Sequence, residues 1–567
     1  MISLIVSLTF AFTYPIWLYS EVVEVFSLNS LFIVLLFYYS LLVNRIGRLK
    51  HILIVFFIFG LSLTHHHLII FLSPVILILI FKNVCKLEKK NILLSISVFL
   101  LGLTPVFYLF FSSYFNPAVN WQGGADIGSF LTLILRKGYG TFLSSPGLVR
   151  DPSGRLMEVW AFFRFYYQDF RFLGIILAFL GIYYLWRKEK FIFKITFTAI
   201  ILFLFFLYYA SFSLSDNFGV GTFERFIIPL YIFMSIPLAF GLVQFNLIIS
   251  YFIGQVLSPV KKKQTMILIT IFLLFYPLSI YILNYPKISI LKNDYTAENL
   301  GKDILASVGN EGILIIMNDT SLFNTQYIYY TNNNYKKIKL IHFSKLFTPY
   351  YDSQIKKYYP DISSSYGVEK GSGEIVRDFL EFNYPKHIIF SKLSLRDAKG
   401  KWVPWGLVFR YYKDEDLPDK KEILAVNEKL WSSFHDPLGF SLSRYRNLML
   451  SDILNVYSVS RQEIAVWDIK NGYYKEAVDH MVRAMQLTPR DKDVFILLAT
   501  AKLKLKLCQE VTEALAEVEK IDKENPDLYF LNAANYKECY NDKAKANYYE
   551  QKYQEKSKGK EILLKNI

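Results

Sequence analysis

Residues 91–114 read NILLSISVFLLGLTPVFYLFFSSY and contain no charged side chain. About 20 consecutive apolar residues carry a helix across a bilayer, so this stretch predicts a membrane-spanning helix. Further apolar runs lie on both sides of it, at residues 1–19, 26–44, 51–64, 68–81, 173–186, 195–213, 226–250 and 264–284. Together they predict a bundle of about nine spans. Three of them (51–64, 68–81 and 173–186) are short, which fits thin-region helices, re-entrant pieces or tilted half-spans.

Basic residues cluster in alternate connections between these runs. The four clusters are Arg45, Arg48 and Lys50; Lys82, Lys86, Lys89 and Lys90; Arg187, Lys188 and Lys190; and Lys261, Lys262 and Lys263. Cytoplasmic loops carry an excess of Lys and Arg, so these connections are predicted to be cytoplasmic. The intervening connections and the tail from about residue 285 then face outward. The abundance of Lys, Asn and Ile suggests a bacterium, so we expect an inner-membrane protein whose tail is periplasmic or extracellular.

The composition indicates a membrane protein and argues against a nucleic-acid partner. The chain has 567 residues, of which 53% are hydrophobic, and a formal net charge of +15. Much of this charge lies in the short clusters between apolar runs, where it orients the protein in lipid. The three cysteines make no metal-ligand set. Cys508 and Cys539 are expected to be two buried free thiols, with a disulfide as the alternative if the tail lies outside the cytoplasm.

After about residue 300 the pattern changes to short β-rich runs between helical stretches. The predicted strands are Gly312 to Met317, Ile338 to Phe343, His387 to Phe390 and Leu407 to Tyr412. This alternation favours a small α/β domain. Asn318-Asp319 follows the first strand, where open α/β sheets often place ligand contacts. The alternative is that Asp319 caps the following helix.

The last hundred residues carry a helical-repeat pattern. Gly472, Tyr474, Ala477, Ala484 and Pro489 match the second helix and exit turn of a tetratricopeptide repeat, and related residues recur about 34 residues later. Generic helical hairpins are the alternative, and either form supplies a binding surface or a brace. The predicted domains are a transmembrane bundle over 1–290, a soluble α/β domain over 291–455 and tetratricopeptide-like repeats over 456–567.

Acidic residues before the second span are candidates for chemistry, because ionisable groups at membrane depth are costly. Glu21 and Glu24 lie three residues apart and are predicted to share one helical face. A carboxylate here could hold a divalent cation, orient a substrate hydroxyl or take its proton. The alternative is an ordinary helix N-terminus, which favours acidic side chains.

The triplet His65-His66-His67 lies on the same predicted face, between two short spans. Histidines there could bind a phosphate, a metal or a sugar hydroxyl. Partner ligands at zinc spacing are not evident in the sequence, so a zinc site is disfavoured. An interfacial polar turn is the alternative.

The outward segment 115–172 is too long for a plain connector and is predicted to form amphipathic helices in the membrane interface. It contains Trp121, Asp126, Arg136 and Tyr139. Arginines there could grip a lipid phosphate bidentately or anchor to ordinary head groups. Arg225, at the start of a later span, is a further phosphate candidate.

Several of these residues lie in motifs that resemble one family of multi-spanning membrane proteins. The matching stretches are Glu24 to Asn29 (EVFSLN), Gly60 to His67 (GLSLTHHH), Trp121 to Phe142, Phe223 to Phe226 (FERF) and Gly406 to Phe409 (GLVF). The family includes bacterial proteins and the transmembrane-protein-260 type of protein O-mannosyltransferase. The likeness covers most of the chain and includes a tetratricopeptide tail.

The resemblance implies a GT-C glycosyltransferase fold that moves a sugar from a polyprenyl-phosphate donor to a protein or glycan acceptor on the outer face. Such a reaction requires a base or metal for the acceptor hydroxyl and cations for the departing phosphate. Glu24 and Glu21 are then the catalytic candidates, and the tail presents the acceptor or binds a protein partner through its repeats. The substrate-binding candidates are His66, His67, Trp121, Asp126, Arg136, Tyr139 and Arg225.

Two departures from the family pattern put the activity in question. Family members begin with an additional span and an outer loop that bears the acidic residue expected to act as base, and this chain starts after that region. The family's W-G-D is Trp121-Gln122-Gly123 here. The alternative to a hexosyl- or mannosyltransferase is therefore an inactive chain, or a non-catalytic assembly or envelope protein. A transporter is disfavoured because charged residues gather at the outer interface rather than at mid-span.

Overall fold

The computed structural model describes residues 1–566 except 121–122, 124–125, 138–139, 145–150, 397–398, 436, 438–449 and 559–562. The chain divides into two compact units. The first, here called the membrane unit, comprises Met1–Asn293 among the described residues. The second, the C-terminal unit, comprises Asp294–Ser443 and Leu450–Ile567.

Helices build the membrane unit. They are α1 (Ile2–Ala11), α2 (Tyr14–Glu21), α3 (Phe26–Ile46), α4 (Leu49–His65), α5 (Ser73–Val84), α6 (Lys89–Leu103), α7 (Phe107–Tyr114), α8 (Ile127–Ile134), α9 (Pro152–Lys188), α10 (Lys190–Ala210), α11 (Asn217–Phe226), α12 (Ile228–Val256), α13 (Pro259–Phe272) and α14 (Phe275–Ser289). Short 3₁₀ turns at His67–Leu72, Thr104–Val106 and Ile290–Asn293 extend three of them.

Among the described residues, seven helical segments are long and apolar enough to cross a membrane. The number rises to eight if α1 and α2, which bend by 64° at their junction, form one span. With the bent pair and the shorter apolar helix α4, every one of the nine predicted runs is helical, and their number as membrane spans stays a prediction. The remaining apolar run forms α4, whose 17 residues make a helix of about 25 Å, shorter than a typical hydrocarbon core.

The prediction that residues 115–172 form amphipathic helices in the membrane interface is wrong for the part that belongs to α9. From Pro152 onward this segment is part of α9, and Phe162 and Phe170 are 1% and 0% exposed in the core of the unit. A kink at Arg171, where φ is 60°, separates this part of α9 from the predicted span at 173–186. Because the rings of Phe162 and Phe170 pack against Tyr231 of α12, this part of the segment is built into the bundle. The short helix α8, by contrast, exposes Ile127.

Helices α9 and α12 cross backbone to backbone. A Cβ atom added at Gly181 would lie 1.7 Å from the carbonyl oxygen of Pro237, and one added at Gly241 would lie 1.8 Å from that of Leu177. Small residues allow membrane helices to pack this closely through van der Waals contact. The crossing lies at the third and fourth turns of α12, which begins two residues after the end of α11.

The C-terminal unit begins with five strands and the helices that flank them. The strands are β1 (Gly312–Ile316), β2 (Ile338–His342), β3 (Ile389–Ser391), β4 (Lys401–Trp405) and β5 (Val408–Tyr412). They form one sheet in the order β2-β1-β3-β5-β4, with β1 parallel to β2 and β3, and β5 antiparallel to β3 and β4. The helices are α15 (Thr296–Val308), α16 (Asp319–Thr331), α17 (Pro349–Tyr358), α18 (Ser372–Asn383) and α19 (Lys420–Ser433).

The structure shows which of Asn318 and Asp319 caps the helix that follows β1. Asn318 is the N-cap of α16, and its side-chain oxygen accepts a hydrogen bond from Ser321 N at 2.9 Å. The cap is therefore Asn318 rather than Asp319, which is the first residue of the helix. Strand β4 escaped the sequence prediction because its exposed lysine and its proline, Lys401 and Pro404, obscure the apolar alternation.

Three successive helix pairs complete the C-terminal unit. They are α20 (Leu450–Asn471) with α21 (Tyr474–Leu487), α22 (Lys492–Lys504) with α23 (Cys508–Ile521), and α24 (Pro526–Glu538) with α25 (Lys543–Lys556). Ala477 and Ala484, two of the predicted repeat positions, are fully buried. Their assignment to tetratricopeptide repeats stays a prediction.

Cys508 and Cys539 form a disulfide, with Cα atoms 5.7 Å apart. The expectation of two buried free thiols is therefore wrong. The bond joins the first residue of α23 to the C-cap of α24, two neighbouring helices that the 31-residue separation of the cysteines hides in the sequence. Cys85 is free and exposed.

Candidate functional site

Glu24 and Arg225 form an ion pair in the membrane unit. Glu24 lies in the short connection between α2 and α3, and Arg225 lies in the last turn of α11. Arg225 Nη1 donates to Glu24 Oε1, and the two side chains are 18% and 32% exposed, respectively. The pair joins stretches of the chain that are 201 residues apart.

Glu21 does not share a helical face with Glu24, contrary to the prediction. It is the last residue of α2, whereas Glu24 follows in an extended turn, where its backbone N–H donates to the carbonyl of Val22 at 2.9 Å. Glu21 is exposed. Helix α3 starts at Phe26, after both glutamates, so the spacing of three residues does not align the two carboxylates.

The side chains of His65 and His66, the first two residues of the histidine triplet, form hydrogen bonds with backbone groups. His65 Nε2 donates to the carbonyl oxygen of Val25 at 2.8 Å, which ties the end of α4 to the start of α3. His66 Nδ1 accepts from Leu68 N–H at 3.2 Å and so caps the 3₁₀ turn that follows. A ring nitrogen that accepts a hydrogen bond carries no proton, so this contact assigns the neutral His66 ring proton to Nε2.

His67 contacts Arg136. The Arg136 guanidinium Nη1 donates to His67 Nδ1 at 3.0 Å, although the residues are 69 positions apart. Arg136 lies in the turn after α8 with a φ of 50°, a left-handed conformation that turns the chain sharply. The ring of His67 also contacts the ring of Phe142, and the two centroids are 5.3 Å apart.

Aromatic rings connect the ion pair to the histidines. The Arg225 guanidinium lies 5.7 Å from the centroid of the Phe26 ring, and that ring lies 5.7 Å from the ring of His66. The rings of His66 and His67 stack with centroids 4.7 Å apart. The contacts thus form a continuous row from Glu24 to Arg136, and we call it the outer cluster: Glu24, Arg225, Phe26, His66, His67 and Arg136. It brings together a carboxylate and two guanidinium groups beside imidazoles.

The other sequence candidates lie apart from this row or cannot be placed. Asp126 is exposed and is the N-cap of α8, where its Oδ1 accepts from Ser129 N at 2.9 Å. Its local role is therefore helix capping. Trp121 and Tyr139 lie outside the described residues.

Three buried acidic residues were not among the predicted site residues. Glu158, Asp169 and Glu224 are 0%, 2% and 1% exposed, and Tyr231 donates to Asp169 Oδ2 at 2.6 Å. Glu224 precedes Arg225 directly. The signal that could have found Glu158 and Asp169 is an acidic residue amid closely spaced aromatic residues, because a buried carboxylate needs a structural or chemical reason.

The described residues contain no group of three or more His, Cys, Asp or Glu side chains arranged to hold a metal ion. The possible divalent cation of the sequence analysis therefore has no assigned ligands.

Two comparisons with known proteins concern the N-terminal region. Residues 1–90 match the family model described as the Protein O-mannosyl-transferase TMEM260 N-terminal domain. The mouse (Mus musculus) protein named Protein O-mannosyl-transferase TMEM260 is 33% identical over 144 residues, which are 24% of this chain and 20% of that protein. The chain thus spans about a fifth of the curated relative that it matches. No solved structure matches significantly.

The apolar helices and these matches define an integral membrane protein. Over its N-terminal region, which contributes Glu24, His66 and His67 to the outer cluster, the chain is TMEM260-like.

Proposed function

We propose that this chain is a membrane glycosyltransferase that moves a hexose, such as mannose, from a polyprenyl-phosphate donor to a hydroxyl of a protein or glycan acceptor. The observation that carries this proposal is the outer cluster, in which three distant stretches place Glu24, Arg225 and Arg136 around stacked histidines. The similarity of residues 1–90 to a family named for O-mannosyl transfer supports the same class of reaction.

In the proposed reaction Glu24 accepts the proton of the acceptor hydroxyl as its oxygen attacks the anomeric carbon. The bond between that carbon and the donor phosphate oxygen breaks, and the lipid phosphate leaves with the bonding electrons. Arg136 and Arg225 stabilise the phosphate, since a guanidinium donates two parallel hydrogen bonds to phosphate oxygens. Arg225 also orients the carboxylate of Glu24, and His67 orients Arg136.

We further propose that the reaction and the C-terminal unit lie on the non-cytoplasmic side, which in a bacterium is the periplasm or exterior. The four basic clusters in alternate connections support this orientation. The Cys508–Cys539 disulfide supports it independently, because disulfides persist outside the reducing cytosol. Cys85, which is free, lies within the cluster of lysines that the same orientation places in the cytoplasm.

The test is transfer of labelled mannose from polyprenyl-phosphate-mannose by the full chain in lipid nanodiscs, with a Ser- and Thr-rich peptide as acceptor. We expect Glu24→Gln to lower the turnover about 100-fold, the usual contribution of a general base. Arg136→Gln should raise the KM for the donor about tenfold or more, because a hydrogen bond to a charged group is lost.

The matched control is Lys137→Gln, which removes the same charge from an exposed neighbour of Arg136. Its transfer rate and donor KM should equal those of the unmodified chain. Undiminished transfer by both Glu24→Gln and Arg136→Gln would contradict the proposed roles.

A non-catalytic, membrane-anchored assembly protein is the second candidate. One observation favours it: the carboxylate of Glu24 already has a partner in Arg225, as in a purely structural ion pair. Such a protein would act through the helix pairs of the C-terminal unit. Absence of transfer by the unmodified chain, together with a protein partner that the helix pairs retain, would favour this function.

A further inference from the structure

The membrane unit contains a cavity of about 390 Å³ between α9, α10 and α12. All three helices are long and apolar enough to cross a membrane. Ala178 lines the cavity one turn before Gly181, where α9 crosses α12 backbone to backbone, so two small residues leave side-chain volume unfilled beside α10. The volume lies in the range of ligand pockets, about 300–1,000 Å³.

The lining of this cavity suits a hydrocarbon chain. Among the described residues that line it, none is charged. Phe193 and Phe197, one turn apart on α10, stack with ring centroids 5.5 Å apart and form one wall. Phe179 of α9 is 69% exposed at the rim, so the cavity opens at the surface of the unit. In a bilayer that surface meets lipid chains, which pack against it by van der Waals contact.

The connection between α9 and α10 lies at one end of the cavity. Leu185 and Phe193 both line the cavity, and the residues between them form this connection. Exposed cations lie in the connection and in the first turn of α10: Arg187, Lys188, Lys190 and Lys194. Leu185 precedes the first of them by two residues, about 3 Å along the helix axis. A chain in the cavity therefore ends close to these cations.

The charge of this connection is positive. In the part of the chain that the structure describes, the side chains of its four cations form no ion pair and no hydrogen bond. One acid lies among them, the exposed Glu189, which leaves a local charge of +3. Arg187 lies over the ring of Trp186 at 5.8 Å, and that indole is 54% exposed. Exposed tryptophans and cations at a helix end are typical of the level of the lipid head groups.

We infer that the cavity and the connection together bind one anionic phospholipid of the leaflet on that side of the membrane. One hydrocarbon chain lies in the cavity, and Arg187 and Lys190 contact the head-group phosphate. Basic pockets between membrane helices bind anionic head groups, and each basic residue near such a surface raises the affinity about fivefold. The inference depends neither on the proposed sugar transfer nor on which side is cytoplasmic, because lipid binding is measured by itself.

The test is native mass spectrometry of the full chain, released from detergent micelles that contain dioleoylphosphatidylglycerol or dioleoylphosphatidylcholine. We expect one phosphatidylglycerol to be retained at least about tenfold more tightly than phosphatidylcholine. The double variant Arg187→Gln with Lys190→Gln should weaken binding of phosphatidylglycerol at least about tenfold and leave that of phosphatidylcholine unchanged. Lys188 and Lys194 stay in this variant, so the connection keeps cations that orient the chain.

The matched control for charge is Lys261→Gln with Lys263→Gln. It removes two charges from exposed residues at the start of α13 that do not line the cavity. It should change the affinity for phosphatidylglycerol less than twofold. Equal losses for the two double variants would reduce the effect to net charge and overturn the proposal.

The position of the hydrocarbon chain is tested by Ile182→Trp, which fills the cavity and should weaken binding of both lipids about fivefold or more, because the chain loses its packing contacts. Ile176→Trp, at an exposed position of α9 that does not line the cavity, is the control and should leave binding unchanged. If Ile182→Trp fails to fold, Phe179→Ala takes its place, because that ring is exposed and lines the cavity.

Undiminished binding by the folded cavity variant would overturn the proposal. Retention of glycerol phosphate as tight as that of phosphatidylglycerol would also overturn it, since that molecule carries the phosphate without a chain. Tighter retention of a polyprenyl phosphate than of phosphatidylglycerol would overturn it as well, because the cavity would then belong to an isoprenoid chain.

Discussion

The outer cluster of the membrane unit and the contact between α19, α20 and α21 in the C-terminal unit place arginines against the same kinds of neighbour. In the outer cluster Arg225 lies over the ring of Phe26, and His67 accepts from Arg136. In the C-terminal unit a single arginine, Arg461, both lies over the indole ring of Trp431 and donates to His480. The two contacts differ in range: Glu24 and Arg225 are 201 positions apart in the chain, whereas Arg461 and His480 are 19 positions apart.

The kind of partner also matters for an arginine of the membrane unit. A charge near the hydrocarbon region is costly unless an opposite charge or a hydrogen-bonding group lies beside it. A carboxylate cancels the charge of an arginine, whereas a neutral imidazole only orients it. The membrane unit thus places Arg225 beside a carboxylate and Arg136 beside an imidazole.

The largest expected effect, on stability and transfer together, comes from exchanging the charges of the outer cluster. Arg225→Glu alone places two carboxylates together, and we expect a loss of stability of up to about 3 kcal/mol, less than for a fully buried pair because the two side chains are 18% and 32% exposed. The double variant Glu24→Arg with Arg225→Glu should regain most of that stability. If Glu24 is the base, transfer of mannose stays at least about 100-fold below that of the unmodified chain. The measurements are the melting temperature in detergent and the transfer rate.

The double variant serves as the control. It restores an ion pair between positions 24 and 225, but its carboxylate lies at position 225 instead of position 24. Recovery of both stability and transfer would show that the pair is structural and would make the two regions alike in having no chemical role for their carboxylates.

Removal of the disulfide should give the next largest effect, a loss of stability of the C-terminal unit alone. Replacing Cys508 and Cys539 with Ser should destabilise that unit by about 3–4 kcal/mol, since the bond closes a loop of 31 residues. The measurement is the loss of its compact core in limited proteolysis or thermal melting. Cys85→Ser, a change at an exposed residue, is the control and should leave the melting temperature unchanged.

The three cysteines also test the proposed orientation of the chain in the membrane. A membrane-impermeant maleimide should modify Cys85 only after the cells are opened, and the Cys508–Cys539 bond should be present in protein isolated without reductant. Labelling of Cys85 in intact spheroplasts would contradict the proposed orientation.

The smallest expected effect concerns a buried acid of α20. Asp468 is 0% exposed, and within the described residues neither of its carboxylate oxygens has a hydrogen-bond partner. Burial, then Glu476 and Glu428, raise the pKa of Asp468 to about 8. The folded state therefore holds a proton that the unfolded state releases near pH 4, so this contribution to stability is full below pH 4 and is lost as the pH rises through 8.

Between pH 5 and 7 this group lowers the free energy of unfolding by up to about 1.4 kcal/mol per pH unit. Asp468→Asn should remove that part of the slope when melting temperatures are compared across pH. The control is Asp479→Asn, which neutralises an exposed acid and should leave the slope unchanged. Identical slopes for Asp468→Asn and the unmodified chain would show that Asp468 is ionised or solvated.

The sequence indicated many local features because they depend on short stretches of chain. The apolar runs, the strands near Gly312, Ile338 and Val408, and the helices around Ala477 follow from length, periodicity and composition. The bounds of the elements were less reliable. Residues 152–172 of the segment predicted to be interfacial belong to α9, because their aromatic side chains suit a membrane surface and a helix interior equally well.

By itself the sequence determined that the chain enters a membrane, which of its connections are basic, and which polar residues stand at the ends of its spans. Only the tertiary structure decided which of these residues meet: Arg225 with Glu24, Arg136 with His67, and Cys508 with Cys539. The physical reason is the sequence distance over which each property is determined. The preference of a segment for lipid, helix or strand is set by neighbours within a few turns, whereas a contact across 201 residues depends on how whole helices pack.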